Sequence, residues 1–390
     1  MEHATPIDSE QPGERTSKPV VRKAGLARRI ASGIVVGLSF LYALLLLGWV
    51  AVHALVGDTR WWSFLLNTFA LYLFTPLIAI VPLSVVMRRT LLRASAIWGL
   101  LLFLITYGSL LIPPALRASP PANAPRLTVM TFNVHSTNYN SAAIVAALRR
   151  SKADIVGMQE VNATVGQALH DNLADLYPYQ VAGEGGVVHG DVILSRYPVQ
   201  TTGYTLQGDW SDDPLAVHVN FQGHIITVLV VHPISTLLTR NEIRGETAAR
   251  AETAQSLVDF VRVRTEPIVV LTDFNATDQS TPYRMATQVL GDAWREGGFG
   301  FGLTFPGDTT FEGSRPRVRQ FYIPQWIVRI DYVFHTPQWQ TVEAHIGPWD
   351  GASDHRPVVA TLALVDPTAL TPGSGAPLHG AKPRSRVEHA

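Results

Sequence analysis

Cysteine is absent from the 390 residues, so no disulfide can staple this fold, and whatever folds must be held by its own core. Charge is scarce as well. Only 16% of the residues are Asp, Glu, Lys or Arg, against 47% hydrophobic, and the mean hydropathy is positive. That balance does not suit a wholly soluble chain and calls for membrane segments. A basic excess is missing where nucleic acid would need one. Residues 118–390 hold 20 Lys and Arg against 26 Asp and Glu, and nucleic-acid affinity comes largely from neutralising phosphates with basic groups. No internal repeat is visible.

Three apolar stretches account for the hydropathy. Residues 33–56 carry no charge, 61–87 are interrupted only by Asn67, Pro76 and Pro82, and 96–116 follow. Each reaches the roughly 20 residues that a hydrocarbon core requires, and proline is tolerated in membrane helices. A cleavable signal peptide does not fit the first, whose apolar stretch is too long and whose charged leader runs some thirty residues. Arg22, Lys23, Arg28 and Arg29 precede the first stretch, Arg88, Arg89 and Arg93 lie between the second and third, and the first intervening loop has only Arg60. The positive-inside rule then places a tail of residues 1–32 in the cytoplasm and everything after residue 116 outside it, in a multi-pass protein of the cell membrane.

Residues 117–125 (RASPPANAP) read as a short Pro/Ala linker. Beyond it, from 126 to 365, strand and helix patterns alternate: LTVMTFNV (127–134), a helix over 141–151, DIVGMQEV (154–161), a helical stripe through Val165, Leu169 and Leu173, GDVILSRYPV (190–199), a hairpin over 216–232 turning at Gln222-Gly223, a helix over 241–264, then IVVLTDFN, RIDYVFH, TVEAHIG and HRPVVATLAL. About 240 residues is ample for one core. Hairpins interleaved with helices suggest two packed sheets with helices outside. Residues 366–390 have the composition of a disordered tail.

The apolar strands end in polar residues: Asn133 in TFNV, Glu160 in MQEV, His232 in VVHP, Asp273 and Asn275 in LTDFNAT, Asp331 in RIDYVF, and Asp354-His355 in SDHRPV. Side chains two apart on a strand share a face, which makes Asp273 and Asn275 project together. One such residue is an ordinary cap or turn former. Such residues at the ends of six strands point to strand ends gathered on one rim.

Taken in order, TFNV, MQEV, ILSRYP, DFNAT, RIDYVF and SDHRPV resemble the endonuclease/exonuclease/phosphatase superfamily, whose best-known members are similar to pancreatic deoxyribonuclease. With the membrane stretches in front, the layout resembles the VanJ-type branch. The resemblance, over residues 126–365, implies an α/β fold, a four-layer α/β/β/α sandwich of two mixed sheets flanked by helices; the three apolar stretches, outside it, would precede it as three transmembrane helices. It implies a phosphoric ester hydrolase, a phosphodiesterase or phosphatase, using Mg²⁺ or Mn²⁺. Asn133, Glu160 and Asp354 would serve the metal, Glu160 foremost. Asp273 would be the base for water, Asn275 would hold a phosphate oxygen, and His232 would donate to phosphoryl oxygens. His355, oriented by Asp331, would stabilise charge. Hard cations do take such oxygen ligands. The tether favours a lipid or lipid-linked phosphate ester at the bilayer. An extracellular nuclease and a non-catalytic binding protein on the same fold are the alternatives, and the acidic balance makes nucleic acid a poor partner. Asp191 in HGDVILSR departs from the family pattern and reads as a turn residue or an extra ligand. The basic, aromatic stretch 314–329 reads as a solvated loop or a substrate-facing lip.

Overall fold

A computed structural model describes residues 20–183, 189–235, 240–307, 317–318 and 320–366. The tail 367–390, the first nineteen residues, and residues 314–316 and 319 of the basic stretch lie outside the described residues. The helices are α1 (Val20–Leu55), α2 (Trp61–Thr68), α3 (Leu77–Met87), α4 (Thr90–Tyr107), α5 (Ser141–Ser151), α6 (Ala163–Leu173), α7 (Arg240–Arg262), α8 (Thr281–Ala286) and α9 (Ala293–Gly297). The strands are β1 (Arg126–Asn133), β2 (Ile155–Asn162), β3 (Tyr179–Ala182), β4 (His189–Ser195), β5 (Val199–Thr201), β6 (Trp210–Phe221), β7 (His224–Pro233), β8 (Ile268–Asp273), β9 (Gly291–Asp292), β10 (Arg317–Val318), β11 (Phe321–Tyr322), β12 (Asp331–His335), β13 (Trp339–Ile346) and β14 (Val358–Leu364).

The chain divides into two units. The first comprises residues up to Gly48 together with Leu73–Phe103. Its small core is Ile80, Leu92 and Ala96, with Val35, Val36 and Tyr42 packed against them. Gly99 lets the helices close up, since a Cβ there would lie 2.7 Å from Leu77 Cδ2. Three helical stretches are long and apolar enough to cross a membrane: Leu26–Leu55, Ala70–Met87 and Thr90–Leu111. The second begins at Ala70 because the chain turns at Phe69. The preceding helix α2 is a separate piece that belongs to the other unit.

That second unit, Trp49–Tyr72 and Leu104 onward, is the layered sandwich. One sheet has the order β13-β14-β1-β2-β4-β3, the other β5-β6-β7-β8-β12-β9. Helices α5 and α6 cover the first sheet through Ile144, Leu148, Val165, Leu169 and Leu173. Helix α7 covers the second through Ala254, Leu257 and Val261, joined by Tyr283 of α8. Apolar residues every three to four positions on these helices give each its buried stripe. The sheets meet face to face at Gly157, where a Cβ would lie 2.7 Å from both Leu271 Cβ and Val230 Cγ2. A side chain there would force the sheets apart.

Two local readings change. GDVILSRYPV is not one strand: β4 stops at Ser195, and after Pro198 the chain resumes as β5 in the opposite sheet. Proline cannot donate to a ladder, and the Ser195 hydroxyl accepts the Tyr197 N–H at 3.0 Å, closing the turn. The 216–232 hairpin turns at Gln222-Gly223 as its sequence indicates. Both residues adopt positive φ, 52° and 89°, which matches a two-residue hairpin loop.

Candidate active site

Topology brings the polar strand ends together. Strands β1 and β2 are parallel, as are β7 and β8, so each pair delivers its C-terminal residues to one edge. Strand β12 runs antiparallel to β8, with Asp331 opposite Asp273, so it contributes its first residue to the same edge. The two sheets are linked there by Asn133. Its Nδ2 donates to Glu160 Oε1 at 2.9 Å and to Asp273 Oδ2 at 3.1 Å, while its Oδ1 accepts the His135 N–H at 2.9 Å. In this arrangement Asn133 is a buried brace between two carboxylates.

Glu160 sits where the β2–β4 register shifts, with a φ of 58°. A bulge of this kind re-aims a side chain, and the left-handed backbone costs a non-glycine residue on the order of 1–3 kcal/mol. The carboxylate is held by Asn133 and by the Ser136 N–H at 2.8 Å. Burial pushes its pKa up, but His232, those two donors and His355 outweigh it, and the net direction is down. Glu160 is therefore ionised and partly open to the cavity.

His232 is buried, with Nε2 3.5 Å from Asp273 Oδ2 and 4.0 Å from Glu160 Oε1. Its Nδ1 faces Asp212 Oδ2 at 3.4 Å. Burial works against its charge, yet the carboxylates raise its pKa well above the usual imidazole range. Asp273 is buried between two imidazoles, with His355 Nε2 at 3.6 Å. Burial would raise its pKa, but His355, His232 and the Asn275 N–H bring it down to about 2.

Asp331 and His355 form a buried pair, Nδ1 donating to the carboxylate at 3.0 Å. Burial opposes the imidazolium; Asp331 and Asp273 prevail and raise the His355 pKa to about 10. Asp331 is itself held above the ordinary carboxylate range by burial, with His355 pulling the other way. The two titrate jointly. The ring of Phe305 packs on His355 at a centroid distance of 4.9 Å.

Asp354 is buried, and its Oδ1 has no hydrogen-bond partner among the described residues. The loop carrying it is tied to β1, since Ser353 Oγ donates to the Asn133 carbonyl at 2.7 Å. Asn275 does not project beside Asp273 by strand alternation. β8 ends at Asp273, and Asn275 takes a left-handed φ of 49°. Its Nδ2 donates to the Pro233 carbonyl at 3.0 Å.

A cavity of about 330 Å³ opens among these groups, lined by His135, Glu160, Ser211, His232, Ser235, Asp273, Asn275, Phe305, Asp354 and His355. Among the described lining residues the groups able to carry positive charge are the imidazoles of His135, His232 and His355. Asp191 lies on β4, fully buried, and neither carboxylate oxygen has a hydrogen-bond partner among the described residues. Burial and the neighbouring acids raise its pKa well above the carboxylate range. That shift favours the neutral form, which would repel a phosphate less than an anion would.

A profile of the Endonuclease/Exonuclease/phosphatase family matches residues 130–355. The chain belongs to that family. Members of the endonuclease/exonuclease/phosphatase family are generally hydrolases of phosphate esters and generally depend on a divalent metal. Similar solved structures include an endonuclease/exonuclease/phosphatase from Bacteroides vulgatus, 21% identical, with 61% of this chain and 99% of that one covered and a TM-score of 0.47. Another from Beutenbergia cavernae is 25% identical, with 62% and 72% covered and a TM-score of 0.48. Truncated TDP2 from Caenorhabditis elegans is 17% identical, with 61% and 98% covered and a TM-score of 0.47. A comparison with curated proteins gives no match.

The donor set fits the family's hard divalent cation. Glu160 is ionised at the cavity wall, and the unpartnered Asp354 Oδ1 is an oxygen that a cation would satisfy. Asp273, Asp331 and His355 also have ligand atoms within 4.8 Å of one another. There, however, the Asp331–His355 hydrogen bond already accounts for the grouping.

Sequence reading missed Asp212, His135 and Phe305. Asp212 stands opposite His232 between two register shifts of β6. Nothing in WSDDPL marks which of its two acids turns inward. His135 adopts a φ of 64° and places Nε2 3.8 Å from Asp354 Oδ2. Its position two residues beyond Asn133 was the one available hint. In the aromatic stretch, Trp326 packs edge-on against Trp349 at 5.3 Å and under Arg356. Phe321 and Tyr322 are exposed.

Proposed function

We propose that this chain is a membrane-anchored, divalent-metal-dependent phosphoesterase, of the VanJ-type branch, with its catalytic unit outside the cytoplasm and a lipid or lipid-linked phosphate ester as substrate. One observation carries the chemistry: two acid-paired imidazoles and the carboxylates Glu160, Asp273 and Asp354 face a single cavity with room for a phosphate group. A binding protein on the same fold would have no use for two such pairs.

Glu160 and Asp354 would hold Mg²⁺ or Mn²⁺, which when bound supplies charge stabilisation for the phosphoryl oxygens. His355, kept protonated by Asp331 and Asp273, presents an N–H at Nε2 toward the same oxygens. His232 does so from the opposite wall, and its charge is held by Asp212 and Asp273. Asp273 stays ionised down to about pH 2. It is thus a weak proton acceptor, and its part is to orient the attacking water by accepting a hydrogen bond. The spare amide hydrogen of Asn275 can meet a phosphate oxygen. Preorganised donors of this kind act strongly in a buried site.

The lipid reading is supported by the three apolar stretches and by the acidic balance of residues 118–390, which makes nucleic acid a poor partner. The test is the full chain in detergent micelles with Mg²⁺, assayed against DNA, sphingomyelin-like lipids and polyprenyl pyrophosphate. Turnover of a lipid substrate, its loss with EDTA and its return with Mg²⁺ or Mn²⁺ are expected. Cleavage of DNA alone would reverse the substrate assignment.

Sidedness has its own test. Protease added outside intact cells should remove residues 118–390 while sparing the first thirty, and a reporter after residue 365 should be active only outside. A reporter active only in the cytoplasm would refute the orientation.

A further inference from the structure

Asp58, in the loop between the first two apolar stretches, is a buried carboxylate with no place in the chemistry above. Its Oδ2 accepts the Thr281 N–H at 2.6 Å, its own N–H donates to Thr281 Oγ1 at 3.2 Å, and its Oδ1 accepts Asn67 Nδ2 at 2.8 Å. Thr281 is the first residue of α8. The residue before it, Ser280, makes no side-chain cap, so Asp58 satisfies an orphan helix donor from 223 positions away in sequence. Gly57 is shaped for this approach. Its φ is +58°, and a Cβ would lie 2.7 Å from Thr281 Oγ1.

Two further residues of the segment 57–72, Phe64 on α2 and Tyr72 shortly after it, reach the active-site wall. The Phe64 ring lies 5.3 Å beneath the Arg250 guanidinium, and that guanidinium donates to the Asn275 carbonyl. The Tyr72 hydroxyl donates to the Ile327 carbonyl at 2.9 Å. The Ile327 N–H donates to the carbonyl of Phe305, the residue whose ring packs on His355. The turn from Asn275 to Ser280 is thus fixed at one end by β8 and Arg250 and at the other by Asp58. Asn275 needs such support, because a left-handed backbone persists where its surroundings over-determine it.

We propose that the segment of residues 57–72 is a working part of the phosphoesterase site, with Asp58 as a positioning residue that sets the 275–280 turn and, through it, the Asn275 side chain. The proposal rests on the phosphoesterase reading. It makes the membrane-spanning segments more than a tether, since a fragment starting after residue 117 would lack residues 57–72.

The experiment uses the full chain in detergent micelles with Mg²⁺ and the water-soluble diester bis(p-nitrophenyl) phosphate. Asp58→Ala should lower kcat by about ten- to a hundredfold with little change in KM, the scale expected of a misplaced group. Amide exchange over residues 276–284 should rise. Asp58→Asn keeps an acceptor for the Thr281 N–H and should recover most of kcat. Unchanged kcat and exchange in Asp58→Ala would overturn the proposal, as would an equal loss in both variants or a loss seen only with lipid substrates. If the wild type cleaves neither this diester nor the monoester p-nitrophenyl phosphate nor any lipid phosphate ester, the phosphoesterase reading fails instead. The exchange comparison then still decides whether Asp58 holds the turn.

Discussion

Glu160→Gln is expected to cost at least about a hundredfold in kcat at ordinary Mg²⁺ while the protein stays folded, because it removes a metal-facing charge and almost no volume. The carboxylate accepts from two donors, Asn133 Nδ2 and the Ser136 N–H. A glutamine has one oxygen for the two, so one donor would face an NH₂ group, a local cost of about 1–3 kcal/mol. Thermal unfolding in EDTA should therefore show a modest fall in Tm and an unchanged cooperative transition. Mg²⁺ should raise the Tm of the wild type and leave that of Glu160→Gln nearly unmoved. Full turnover by the variant would remove Glu160 from the metal site.

The second large effect concerns Asp331 and His355. Asp331→Asn should lower kcat strongly and move the basic limb of the rate profile to lower pH, since the imidazolium loses the carboxylate at 3.0 Å that helps raise its pKa to about 10. His355→Ala should cost at least as much. The double variant should be little worse than the worse single, because residues that act as a unit are not additive. Stability gives an independent check of the sign. A folded-state pKa raised from about 6.5 to about 10 contributes stability that is complete below pH 6.5 and lost as pH climbs toward 10. The wild type should thus lose Tm over that window, and Asp331→Asn should lose less. Additive losses in kcat, or a rate profile that does not move, would separate the two residues.

Much of this was written locally. The motifs TFNV, MQEV, DFNAT, RIDYVF and SDHRPV each carry their polar residue beside an apolar run, and that contrast is visible without a structure. The two-sheet layering could be read too, from hairpins and amphipathic helices whose periodicity is local. What resisted reading lies where the backbone leaves its regular period. Glu160 at a bulge, Asn275 just past a strand end and His135 in a turn all have positive φ, and there strand alternation no longer says where a side chain points. Asp212 is a similar case: it stands opposite His232 between two register shifts of β6, which regular strand alternation does not foretell.

By itself, then, the sequence determined the three apolar stretches with their charge asymmetry, the α/β alternation and the family with its acidic and histidine residues, because each is encoded in neighbouring positions through hydropathy, periodicity or motif. Only the tertiary structure decided that Asp212 serves His232, that burial raises the Asp191 pKa, and that Asp58 caps Thr281. Those outcomes depend on burial and on distances between residues far apart in the chain, and the low-dielectric interior turns such distances into charge states that no local pattern records.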